Sequence, residues 1–147
     1  VGDPVSSFGG PDFAYLRNGR AGWPDSIPDN TIYKQLGYEL DQKGIPEFAM
    51  EVNGGLITNK FVPSETSRSL ERLISTKSEE ALWHKIAEGS IIEKLSDDTY
   101  VINDKMYYVH FSADSQMKAT IRKSNGNDEL VIKIPSGNQE ISYSISW

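Results

Sequence analysis

The stretch ELVIKIPSGNQEISYSISW, Glu129 to Trp147, decides the fold. Leu130, Ile132 and Ile134 alternate with Val131 and Lys133, and after Ser136-Gly137-Asn138 the residues Ile141, Tyr143, Ile145 and Trp147 alternate with serines. Successive side chains of a strand point to opposite faces, so this period of two puts one face in a core and the other in water. Leu130, Ile132, Ile134, Ile141, Tyr143 and Ile145 are therefore predicted to form one contiguous core face.

The same grammar extends upstream. Ser90 to Leu95, Tyr100 to Ile102, Met106 to Phe111 and Met117 to Arg122 are short runs separated by Asp97-Asp98, Asn103-Asp104-Lys105 and Ser124 to Asp128, all turn-forming clusters. In GYELDQKGIPEF, Gly37 to Phe48, a turn at Gln42-Lys43-Gly44 separates two alternating runs. Leu36, Tyr38 and Leu40 are predicted to share a face, as are Phe48, Met50 and Val52. Asn53-Gly54 is a strong hairpin signal, because both central residues of a type I′ turn need positive φ. Leu56 to Val62 should then fold back on the preceding run.

Two windows are ambiguous. Arg68 to Ser75 suits a strand or a helix through Leu70, Leu73 and Ile74. Glu79 to Glu88 has acids at its start and Gly89 at its end, which favours a helix, yet Leu82, His84 and Ile86 also alternate; strand stands slightly ahead because its surroundings are β. About ten short strands with at most one short helix predict an all-β antiparallel β-sandwich. Residues 1–147 are read as a single domain, with 1–31 a Pro/Gly-rich extended lead-in packed on it. Four of the seven prolines lie in that lead-in. Phe13 to Leu16 is placed as a short edge strand, and Trp23, before Pro24, as extended and packed on the body.

Composition narrows the chemistry. A formal charge of −6, with scattered Lys and Arg, argues against nucleic acid as a partner. No apolar run approaches the ~20 residues of a membrane-spanning helix. With no cysteine, the chain has no thiolate metal site, no covalent haem attachment and no cysteine nucleophile. His84 and His110 have no second histidine at helical or strand spacing, so a metal site would have to be assembled across strands and none is expected, although Asp97-Asp98 could touch calcium without the ligand series that makes such a loop specific. Acid pairs such as Glu39/Asp41 read as solvated sheet faces rather than a glycosidase pair. No Gly-x-Ser-x-Gly and no phosphate loop occurs, so no catalytic residue is assigned. The residues assigned to ligand binding are Trp23, Tyr108 and His110, outward rings able to offer an apolar face with a hydrated polar tip. Trp83 and Trp147 are also candidates for stacking on sugar, with core packing the more common use of such rings.

The order of landmarks adds a resemblance. FAYL, the Trp23-Pro24 pair, GYELDQKGIPEF, FVP, RSLERLIS, LWHKIAEG, YVIND, ELVIKIP and YSISW together resemble a β-domain of large exported bacterial proteins, where it accompanies a c-type cytochrome domain and a quinone-dependent, sugar-dehydrogenase-like propeller. The resemblance implies a periplasmic, cell-surface or secreted setting, and a segment cut from a longer protein, in keeping with a chain that begins at Val1. It also implies partners in neighbouring redox domains or subunits, and no cofactor in this chain. The expected role is a non-catalytic module for domain docking or substrate presentation; the alternative is a free-standing carbohydrate-binding module, and a small hydrolase stands behind both.

Overall fold

A computed structural model describes residues 12–24, 32–112 and 117–147. The Gly9-Gly10 turn and the Pro28 part of the lead-in lie outside the described residues. Twelve strands are present: β1 Phe13–Ala14, β2 Tyr33–Leu40, β3 Pro46–Val52, β4 Gly55–Pro63, β5 Ser69–Ser78, β6 Leu82–Gly89, β7 Ile92–Ser96, β8 Thr99–Ile102, β9 Tyr107–Phe111, β10 Ala119–Ser124, β11 Asn127–Ile134 and β12 Gly137–Ser146. They form two antiparallel sheets, a four-stranded one in the order β1-β6-β11-β10 and an eight-stranded one in the order β2-β3-β4-β5-β12-β9-β8-β7. The fold is an all-β sandwich, with more strands than the ten expected and no helix among the described residues.

Both ambiguous windows are strands. Arg68 to Ser75 becomes most of β5, whose ten residues pair β12 along their whole length. Glu79 to Glu88 becomes the turn into β6 and β6 itself, which pairs β1 on one side and β11 on the other. The ladder to β11 along the strand, joined by β1 at Trp83 and His84, satisfies backbone groups and outweighs the modest helix propensity of Glu, Ala, Leu and Lys here. Ile86 has no partner on β11, where Leu130 faces Ala87 and Val131 faces Lys85, so β6 carries a bulge.

The core forms between the sheets as the alternation requires. Leu130, Ile132 and Ile134 from the small sheet meet Ile141, Tyr143 and Ile145 from the large one in one buried cluster. Asp128 ties the layers together: it accepts the Ile92 backbone N–H at 3.0 Å and pairs with Lys123 at 2.8 Å. A single methylene removed from this core should be felt, and Ile132→Val is expected to cost about 1 kcal/mol, read from denaturant midpoints at unchanged slope. A cost indistinguishable from zero would mean that the sheets do not interlock at Ile132.

The hairpins follow their turn residues. Asn53 and Gly54 both have positive φ, 48° and 83°, as the type I′ reading requires. Asp41 organises the other turn, accepting the N–H groups of Lys43 and Ile45 on one carboxylate oxygen and Lys60 at 2.8 Å on the other. The hydrogen bond from Lys60 is the largest of the influences that hold its carboxyl down to about 2.

Candidate docking surface

Four strands cannot cover eight. The mismatch falls on β2 and the adjoining ends of β3 and β4. Tyr38 pairs Phe48, Phe48 pairs Asn59, Asn59 pairs Ile74 and Ile74 pairs Ile141, so these five residues lie in one row on one face of the large sheet. The row starts in the core, with Ile141 and Ile74 buried, and ends in the open, with Phe48 42% and Tyr38 63% exposed. Leu40, opposite half-buried Pro46, is 62% exposed on the same face. The Tyr38 and Phe48 rings sit 5.7 Å apart, and Met50 and Phe61 pack behind them against the core. Leu36 departs from the expected face: Gln35 pairs Met50 and Gly37 pairs Ala49, which leaves Leu36 in a bulge and takes it out of register with Tyr38 and Leu40.

A buried polar cluster marks the line where cover by the small sheet stops. Arg72, at the core-facing parity of β5, is fully buried. Its Nε donates to Asn59 Oδ1 at 2.9 Å, one terminal nitrogen donates to the Tyr143 hydroxyl at 3.1 Å, and the other donates to Asp12 Oδ2 at 2.6 Å. The guanidinium lies 4.8 Å from the Phe61 ring centre and 5.8 Å from that of Phe13. Burial opposes its charge, and Tyr143 and Asp12 more than offset that opposition.

His84 completes the cluster. Its Nδ1 lies 2.7 Å from the Asp12 carbonyl oxygen, which can only accept, so Nδ1 carries the proton. Nε2 is then free to accept from the Tyr143 hydroxyl at 2.8 Å. Burial first, then the Arg72 charge, pushes the His84 pKa down to about 3, and burial raises that of the Tyr143 phenol well above its usual range. Both are therefore neutral at pH 7, and the cluster carries one cation and one carboxylate. Asp12 anchors β1 three ways, through its carboxylate to Arg72, its carbonyl to the His84 ring and the same carbonyl to the Lys85 N–H at 2.9 Å.

The expected binding residues are not brought together. Trp23 packs on the body and is not an outward ring, which corrects its assignment to ligand binding: it is 4% exposed, in a second apolar cluster with Ala14, Trp83 and Val131 on the outer side of the small sheet. Lys85 and Arg122 lie 5.3 and 5.9 Å from its ring centre. Those two cations meet buried Glu129, Lys85 at 3.5 Å and Arg122 at 2.8 Å. Tyr108 and His110 are neighbours on the outer side of the large sheet, opposite buried Tyr107, Val109 and Phe111, as the alternation predicts. His110 Nδ1 sits 2.9 Å from Thr99 Oγ1 and 3.7 Å from Asp98 Oδ1. The sandwich thus separates Trp23 from Tyr108 and His110.

Asp98 is engaged by Ser96 and Thr99 at 2.9 and 3.0 Å. Among the described residues no three His, Cys, Asp or Glu side chains converge as a metal site, and no helix is long and apolar enough to cross a membrane. No family model, curated protein or solved structure matches the chain.

Tyr38, Leu40 and Phe48 escaped the sequence reading because their alternation looks the same whether or not a second sheet covers them. The Arg72 cluster had a visible sign. Leu70, Arg72 and Ile74 alternate on one face, as do Leu82, His84 and Ile86, and a cation or imidazole at a core parity implies a buried partner.

Proposed function

We propose that the chain is a non-catalytic β-sandwich module that docks a neighbouring domain through Tyr38, Leu40, Pro46 and Phe48. The exposed end of the Tyr38-to-Ile141 row carries this reading: a face built to core parity, continuous with the core and open to water, is what an interface requires. Tyrosine and phenylalanine are among the residues enriched in interface cores, and pairing of β2 with β3 already sets the two rings side by side. The landmarks shared with a β-domain of exported redox proteins support a c-type cytochrome or propeller domain as the docked neighbour and the periplasm or cell surface as the setting. On this reading electron transfer and substrate oxidation belong to the neighbour.

The test joins this chain to the domain encoded beside it and measures interdomain association by small-angle scattering and sedimentation. Tyr38→Ser with Phe48→Ser should leave the stability of the isolated chain within about 0.5 kcal/mol, because both side chains are exposed, while loosening the tandem protein into two independently tumbling bodies. An unchanged compact tandem particle would sink the docking surface, and an adjoining domain with neither haem motif nor propeller would sink the redox setting.

A further inference from the structure

A cleft of about 640 Å³ opens on the other side of the molecule, between the 15–19 segment and the turn that enters β6. Tyr15, Leu16 and Trp83 form its apolar wall, and Arg17, Glu80 and Lys133 bring charge to it. We infer that this cleft binds a hexuronate, a sugar ring bearing one carboxylate.

The cleft is held in shape by contacts outside it. The Tyr15 hydroxyl donates to the Val52 carbonyl at 3.1 Å, which fixes that ring. Ser78 donates to the Glu80 carbonyl at 2.7 Å and fixes the turn. Asn18 closes its own turn, accepting Arg20 N–H on its side chain and Ala21 N–H on its carbonyl. Arg122 donates to the Gly19 carbonyl at 3.0 Å from behind. Gly19 lies so close to the Trp83 ring that a Cβ there would sit 3.3 Å from it. Pre-organisation of this kind lowers the cost of binding a small ligand, and the volume falls in the range of small-molecule sites.

Charge selects the ligand class. Arg17, Lys133 and Glu80 make no ion pair among the described residues, and Lys133 is poised 5.8 Å from the Trp83 ring centre. Two cations and one carboxylate leave an excess of one positive charge. A hexuronate supplies the matching negative charge, with hydroxyls to donate to Glu80 and a C–H flank to lie on Tyr15 and Leu16. A neutral sugar and a zwitterionic amino acid alike leave the excess charge uncompensated.

Nitrogen-15 spectra of the whole chain, titrated with methyl galacturonoside, methyl galactoside, acetate and serine, test the inference independently of the docking surface. Methyl galacturonoside should shift the Trp83 indole and the Gly19 and Ala81 amides saturably, with a Kd on the order of 1 mM. The other three should give no saturable shift at the same concentration. Arg17→Ala with Lys133→Ala, at two exposed positions, should weaken binding at least about tenfold with the rest of the spectrum unchanged. Equal response to the galactoside, acetate or serine, no saturation with the galacturonoside, or undiminished binding by the double variant would overturn it.

Discussion

Replacing Arg72 with alanine should cost about 3–5 kcal/mol of folding stability, the largest single-residue effect anticipated here. Two losses combine. The side chain is fully buried, so truncation leaves a cavity walled by Phe13 and Phe61, and it strands the Asn59 carbonyl oxygen that Arg72 Nε had satisfied. It also unties Asp12 from β5, which removes one of the anchors of β1. Asp12 is itself partly exposed and can rehydrate, so the lost attraction between the charges is not the main component. Arg72→Met, which keeps most of the volume, should therefore recover more than half of the loss. Equal destabilisation by Ala and Met would show instead that the charge, not the packing, holds the site.

Acidification should remove on the order of 4 kcal/mol through His84 alone. The folded-state pKa is about 3, against an ordinary value of 6.5, because the buried ring beside Arg72 disfavours the imidazolium. Between those values the unfolded chain binds more protons than the folded one, so stability rises with pH. The contribution is fully present above pH 6.5 and is lost as pH falls toward 3. Protonated Nε2 could no longer accept from Tyr143 and would face the guanidinium 3.4 Å away. Denaturant midpoints measured from pH 7 to pH 4 should fall steeply in the native protein and stay nearly flat in His84→Gln. The carboxyls of Asp98, lowered chiefly by Ser96, and Asp128, lowered chiefly by Lys123, act below that window. A native protein with no slope between pH 6.5 and pH 4 would mean that His84 is not buried as a neutral ring.

Period-two alternation made the sheets legible because burial on one face leaves a mark at every second residue. It found the Leu130-to-Ile145 core and the outward side of Tyr108 and His110, and Asn53-Gly54 marked its turn through the φ angles that turn demands. What alternation does not carry is which sheet a strand joins. β6 and β7 are separated by two residues yet belong to different sheets, so the uncovered end of the large sheet depends on pairings remote in sequence. The use of Trp23 was misjudged for the same reason. Its packing on the body was legible before Pro24, but the lead-in does not show that the outer side of the small sheet supplies Val131, Lys85 and Arg122 to bury the ring.

Amide hydrogen exchange on the chain alone and in tandem with the proposed neighbouring domain tests the docking surface most directly. β2 is an edge strand with its inner face in water, so its backbone should exchange readily when the module is alone. In the tandem protein the amides of residues 37–40, Glu47 and Phe48 should slow by at least about tenfold while those of β9 and β12 stay unchanged. Identical exchange at 37–40, Glu47 and Phe48 in both proteins would contradict the account.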